Sequence, residues 1–259
     1  MTELFAADLQ RLLWRPFARA LGLAAVILIA VTGVIVFLKS GGTHPFNPLT
    51  GLRAASGTAG AALAFAGFVL GASSFGADEA SRALTTLLTW EPRRPRVLAS
   101  RAVACAALTA CVSLAVLALL CLALLPAALA RGTGAVPTGG WYLSMAGLAL
   151  RCALLAAVAS AIGVSCAAIG RSTLAALAIL AVYLIAVERA VFAFEPSVRR
   201  WLFLTNAQSW LASDPRSSVV GPGAQGAGHA IVTAGLLLLA VVLALHALAT
   251  WMLAHQDIP

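Results

Sequence analysis

Gly76–Arg101, GADEASRALTTLLTWEPRRPRVLASR, is the longest polar interruption between two apolar runs in the first half of this 259-residue chain. It carries five of the seventeen cationic residues: Arg82, Arg93, Arg94, Arg96 and Arg101. Its spacing predicts an amphipathic helix over about Asp78 to Thr89. Ala80, Ala83, Leu84, Leu87 and Leu88 share one face, and Asp78, Glu79, Arg82 and Thr86 lie elsewhere. Pro92 ends that helix, because proline has no amide hydrogen to donate and its ring collides with the preceding turn.

The runs on either side set the class. Apolar residues make up 61% of the chain and charged residues 10%, against about 25% charged in a soluble domain. Several runs reach the roughly 20 apolar residues that cross a hydrocarbon core. The composition predicts an all-α integral membrane protein. Its net charge of +8 then points to anionic lipid and not to nucleic acid. The five cysteines (Cys105, Cys111, Cys121, Cys152, Cys166) fall within the apolar runs without metal-ligand spacing, and read as small packing residues.

Residues 1–16 form one unit and 17–259 a single six-span domain. Within TELFAADLQRLLWR, Phe5, Leu9, Leu12 and Leu13 make an apolar stripe with Asp8, Arg11 and Arg15 off it. This predicts an amphipathic helix lying in the membrane interface, turned inward at Pro16. The spans are expected at about 17–38, 55–75, 98–125, 143–169, 173–194 and 230–253, with a loop at 76–97. The first run reads as a retained span and not a cleaved signal. Gly67-Phe-Val-Leu-Gly71 in span 2 allows a close helix approach, either within the subunit or between copies. Pro126 to Gly140 reads as a loop, and Gly170-Arg171-Ser172 as a tight turn. In 195–228, the piece Trp201 to Trp210 is too short to cross and predicts an interfacial or re-entrant helix.

Six spans put both termini on one side. That side holds nine cations (Arg11, Arg15, Arg19, the five of the opening stretch and Arg171) and the other holds six (Lys39, Arg53, Arg131, Arg199, Arg200 and Arg216). The bias places both termini and the 76–97 loop in the cytoplasm.

No catalytic set emerges. Lys39-Ser40 is not preceded by the glycines of a phosphate-binding loop, and no carboxylates cluster as a two-metal site requires. The chain is expected to bind no metal and no cofactor of its own. Gly163-Val-Ser165-Cys166 on span 4, with His229 or His246 of span 6, invites comparison with intramembrane serine proteases. Cys166 replaces the second glycine of that motif, and Ser165 and His229 lie at opposite ends of their spans. His246 reads as a packing group. Arg151 and Glu188, in spans 4 and 5, are expected at similar depth. They either form an intramembrane ion pair or snorkel separately to the interface.

The opening stretch resembles the first cytoplasmic loop of type-2 ABC (ATP-binding cassette) exporter permeases. Glu79, Leu87-Leu88, Pro92, Arg94 and Arg101 follow that family's order of an acid in a short helix, a Leu-Leu pair, a proline, an arginine and a cation at the foot of span 3. Pro92 falls one residue late, and Arg82-Ala83 stands where a Gly-Thr pair is usual. The resemblance implies a coupling helix formed by Asp78, Glu79, Arg82, Leu84, Leu87, Leu88, Glu91 and Arg94. Two copies of a separate ATPase subunit, which bind ATP and Mg, would dock on it. A second permease subunit would complete a homodimer or heterodimer, with spans 2 and 5 lining a cavity between inward- and outward-facing states. The small and apolar residues of span 2 suit a drug, natural product or lipid. A non-transporting membrane scaffold is the alternative reading, and a membrane-embedded lipid enzyme the weakest.

Overall fold

The computed structural model describes residues 2–40, 47–81, 94–133, 138–194, 198–211 and 231–255. Among them the chain is 95% helical and has no strand. The helices are α1 (Thr2–Trp14), α2 (Pro16–Lys39), α3 (Pro48–Ala80), α4 (Arg94–Arg131), α5 (Gly139–Gly170), α6 (Thr173–Val182), α7 (Glu188–Phe194), α8 (Phe203–Leu211) and α9 (Ile231–His255). A π-helical segment, Tyr183–Val187, joins α6 to α7, so these three pieces form one span. With it, six helices are long and apolar enough to cross a membrane. The chain is a multi-pass membrane protein, and below, the end of the bundle that carries α1 and the last turn of α9 is called the terminal face.

Local signals explain where these helices start and stop. α3 begins seven residues before the expected position because Asn47 caps it: Oδ1 accepts the amides of Leu49 (3.0 Å) and Thr50 (3.4 Å), with Pro48 in the first turn. The expected break at Pro126 does not occur, and α4 runs through it to Arg131. In an apolar span one missing amide is tolerated where the rest of the backbone remains internally bonded. The tight turn after α5 is made by Arg171 in the left-handed region (φ 55°). Ser172 then caps α6 by accepting the Ala175 amide at 3.0 Å.

α5 is the central helix. Of its most apolar stretch 78% is buried, against 11% for α2, for the α6–α7 span and for α9. Its main partner is α3, and the seam between them depends on glycine. A methyl at Gly67 would lie 2.7 Å from the Ala156 carbonyl oxygen, and one at Gly71 would overlap that of Ser160. The two backbones therefore touch directly, as small residues permit in lipid. This G-x-x-x-G is used inside the subunit.

The apolar stripe of α1 is also used internally. Leu12 is buried and Phe5 and Leu9 lean on the same core, together with Phe68, Phe75 and Leu98. Asp8, expected off the stripe, is buried within this contact.

Replacing Gly71 with Val is expected to lower the thermal midpoint of the detergent-solubilised protein sharply, since overpacking costs about 1–3 kcal/mol and here the obstacle is backbone. A methyl at Gly22 would meet no atom within 4 Å. Gly22→Ala should leave the midpoint unchanged or raise it slightly.

Candidate functional site

The site is built where the two ends of the opening stretch enter the bundle. Asp78 and Glu79 do not begin a separate helix; they form the last turn of α3, which ends at Ala80. A carboxylate at a helix C-terminus opposes the helix dipole, so these two need cations, and three arginines supply them. Arg101, seven residues into α4, places Nη2 2.7 Å from Asp78 Oδ2 and 3.9 Å from Asp8 Oδ1. Its Nη1 donates to the Ser74 carbonyl at 3.5 Å. Its guanidinium lies 5.8 Å from the Phe75 ring centroid. Arg15, between α1 and α2, pairs with the other oxygen of Asp78 and donates to the Ser73 carbonyl at 3.0 Å. Ser100 donates to Asp8 Oδ2 at 2.9 Å. Cys105 Sγ donates to Ser74 Oγ at 3.2 Å.

The result is a neutral quartet: Asp8 and Asp78 against Arg15 and Arg101. It joins α1, the start of α2, the end of α3 and the start of α4. Burial decides its weight. The Arg101 side chain is 4% exposed, so removing a partner would strand a charge, at about 3–5 kcal/mol. Glu79 makes a different contact. Its Oε1 accepts from Arg171 Nε (2.8 Å) and Nη2 (2.7 Å), clasping α3 to the α5–α6 turn. Arg171 is 46% exposed, and a solvated pair of this kind contributes about 0–1 kcal/mol.

Arg82, Leu84, Leu87, Leu88 and Glu91 lie outside the described residues, and Arg94 opens α4. The sequence reading missed Asp8, Arg15 and Ser100 as members of the site. An aspartate on the apolar stripe of a short helix was the available signal.

Arg151 and Glu188 are not paired with each other; each holds one end of α8. Glu188 Oε1 accepts the Leu204 amide at 2.7 Å, and the Tyr183 hydroxyl accepts the Phe203 amide at 3.2 Å. At the other end Arg151 Nη1 donates to the Trp210 carbonyl at 3.5 Å, and Trp210 Nε1 returns a bond to the Arg151 carbonyl at 2.9 Å. The anion sits at the helix N-terminus and the cation at its C-terminus, the arrangement the helix dipole favours. The π segment lets the Glu188 amide bond back to the Tyr183 carbonyl, a local change of helical phase at the point where Tyr183 and Glu188 reach α8. The two charges satisfy a third helix, which their sequence positions could not reveal.

Ser165 and His246 do approach: Oγ lies 3.4 Å from Nδ1. Ser165 is fully buried and its single proton goes to the Ala161 carbonyl at 3.0 Å. The contact with the imidazole joins α5 to α9. His229 lies outside the described residues. Among the described residues no three His, Cys, Asp or Glu side chains converge on a metal site.

Asp78→Ala should destabilise the solubilised protein by about 3–5 kcal/mol, whereas Arg171→Ala should cost no more than about 1 kcal/mol. Thermal unfolding of the two variants side by side checks the ranking. Exchanging the charges, Arg151→Glu with Glu188→Arg, should not rescue either single change, because it inverts both ends of α8. A rescued midpoint would show that the two residues act on each other.

No protein-family model matches the chain, and no curated protein matches it.

Proposed function

We propose that this chain is the permease subunit of an ATP-binding cassette exporter, moving an apolar or amphipathic substrate across the cytoplasmic membrane. Both termini and the opening stretch would be cytoplasmic. Two copies of a separate ATPase subunit would bind ATP and Mg, and a second permease subunit, identical or related, would complete the pathway.

The observation that carries this reading is the Asp78–Arg101 contact of 2.7 Å. It ties together the two roots of the stretch that resembles a coupling loop. A force applied to 82–93 would reach α1, α2, α3 and α4 together through the ion quartet, and α5–α6 through the Glu79 clasp. This is the connection a loop driven by a partner's ATP requires. The excess of cations on the terminal face supports its cytoplasmic placement.

Two further features agree. Ala61, Ala62 and Phe65 are exposed on α3, an apolar surface that suits the proposed cargo. α8 reads as a re-entrant helix. Arg151, which holds it, is about 18 Å along α5 at 1.5 Å per residue, inside the hydrocarbon depth of a helix this long. At that depth free helix ends must find partners within the protein, and those of α8 do so in Glu188, Tyr183 and Arg151. Asn206 is likewise buried and bonded to the Leu202 carbonyl. On this reading α1 meets the interface through its end and not through the stripe that faces the core.

One observation favours a non-transporting scaffold: Asp78 and Glu79 already have partners inside the chain. Co-expression with a P-loop ATPase bearing an ABC signature from the same genome separates the readings. The permease reading predicts co-purification of the ATPase and a change of its ATP turnover in liposomes. Leu84→Asp with Leu87→Asp should weaken that association at least tenfold while leaving membrane insertion intact. Absence of a stable complex, or unchanged turnover in the variant, would favour the scaffold.

A further inference from the structure

We propose that the elbow between α1 and α2 is a docking surface for anionic phospholipid. Leu12 is buried in the core and Arg15 is held by Asp78. Around them Leu13 is 52% exposed, Trp14 68% and Phe17 44%. These three flank the break at Arg15-Pro16, and we take them together as the apolar knob of the elbow.

Two cations border the knob. Arg11 lies one turn before Trp14 on α1, and Arg19 holds its guanidinium 4.8 Å from the Trp14 ring centroid. Both are exposed, and among the described residues neither has a carboxylate partner. Arg15, by contrast, is turned inward and neutralised. The chain thus separates three neighbouring arginines into one that closes the ion quartet and two that stay available.

An exposed tryptophan with a guanidinium on its face suits the boundary between acyl chains and headgroups. Arginines without a carboxylate beside it match phosphate in charge and in hydrogen-bond geometry. A zwitterionic headgroup offers phosphate together with a cation of its own; an anionic one offers net negative charge. The charge complementarity therefore selects the anionic lipid. The occupant is the leaflet itself, and the same elbow carries the Asp78 contact, so the lipid-facing surface and the ion quartet share one turn of chain. The proposal concerns direct lipid contact and stands apart from the exporter reading.

Trp14 is the reporter. The full chain is placed in bilayers of fixed phosphatidylglycerol and phosphatidylcholine content in which one lipid or the other carries brominated acyl chains. The Trp14 signal is the difference between wild type and Trp14→Phe. Brominated phosphatidylglycerol should quench it more strongly than brominated phosphatidylcholine, and salt at about 0.5 M should reduce that excess. Each arginine near an anionic surface favours it by about fivefold. Arg11→Gln with Arg19→Gln should therefore remove most of the excess, and Arg11→Lys with Arg19→Lys should keep much of it. Circular dichroism and gel filtration establish that the variants remain folded. Equal quenching by the two lipids, or an excess that survives the double Gln change, would overturn the proposal. Absence of quenching by either lipid would also overturn it, placing a protein partner or a second copy on the knob.

Discussion

Asp8, Asp78 and Arg101 are buried, with Arg15 half-buried beside them, where α1, α2, α3 and α4 meet, and the four set the form of the terminal face. A single ion at this degree of burial would cost several kcal/mol. Four with zero net charge, supported by the Ser100 hydroxyl and the Ser73 and Ser74 carbonyls, remove most of that cost. The requirement is geometric: each member comes from a different part of the chain, so the charges are compensated only if four segments arrive together. α1 is held against the bundle by Asp8 as well as by Leu12, and the two ends of the Gly76–Arg101 stretch are fixed relative to each other. The quartet therefore specifies an arrangement more than it adds net stability.

The same constraint operates at the other end of the bundle with a different outcome. Glu188 and Arg151 sit in apolar spans without being paired together, because the exposed backbone ends of α8 supply what each needs. A short helix has unsatisfied amides at one end and carbonyls at the other. An acid and a base, one at each end, complete it. Between these polar layers the bundle relies on close backbone contact at the α3–α5 seam, where glycine removes the side chains that would hold the helices apart.

The six-helix membrane plan was legible from composition and run length alone, since hydrocarbon thickness imposes one length on every span. Helix ends were less so. Hydropathy identified the apolar middle of α3 and passed over Asn47-Pro48, a capping signal that extends the helix well beyond the apolar run. Pro126 would break a water-exposed helix, but in a span an unbroken helix is the better solution for the backbone. In the site, Asp78, Glu79 and Arg101 were visible as charges, but their partners were not. Pairing across 63 residues, as between Arg15 and Asp78, follows from helix packing that no local pattern encodes. Asp8 lies on the apolar stripe, against the expectation for an acid, because Ser100 and Arg101 meet it there.

The central claim is that Asp78 and Arg101 act on each other, and that this contact joins the two roots of the opening stretch. A double-mutant cycle tests it directly, with Asp78→Asn, Arg101→Gln and the combination compared by equilibrium unfolding in one detergent. Mutual dependence predicts a double variant less destabilised than the sum of the singles, with a coupling of about 2 kcal/mol or more. Additive effects would contradict the account, because they would mean that each charge is held by something other than its partner.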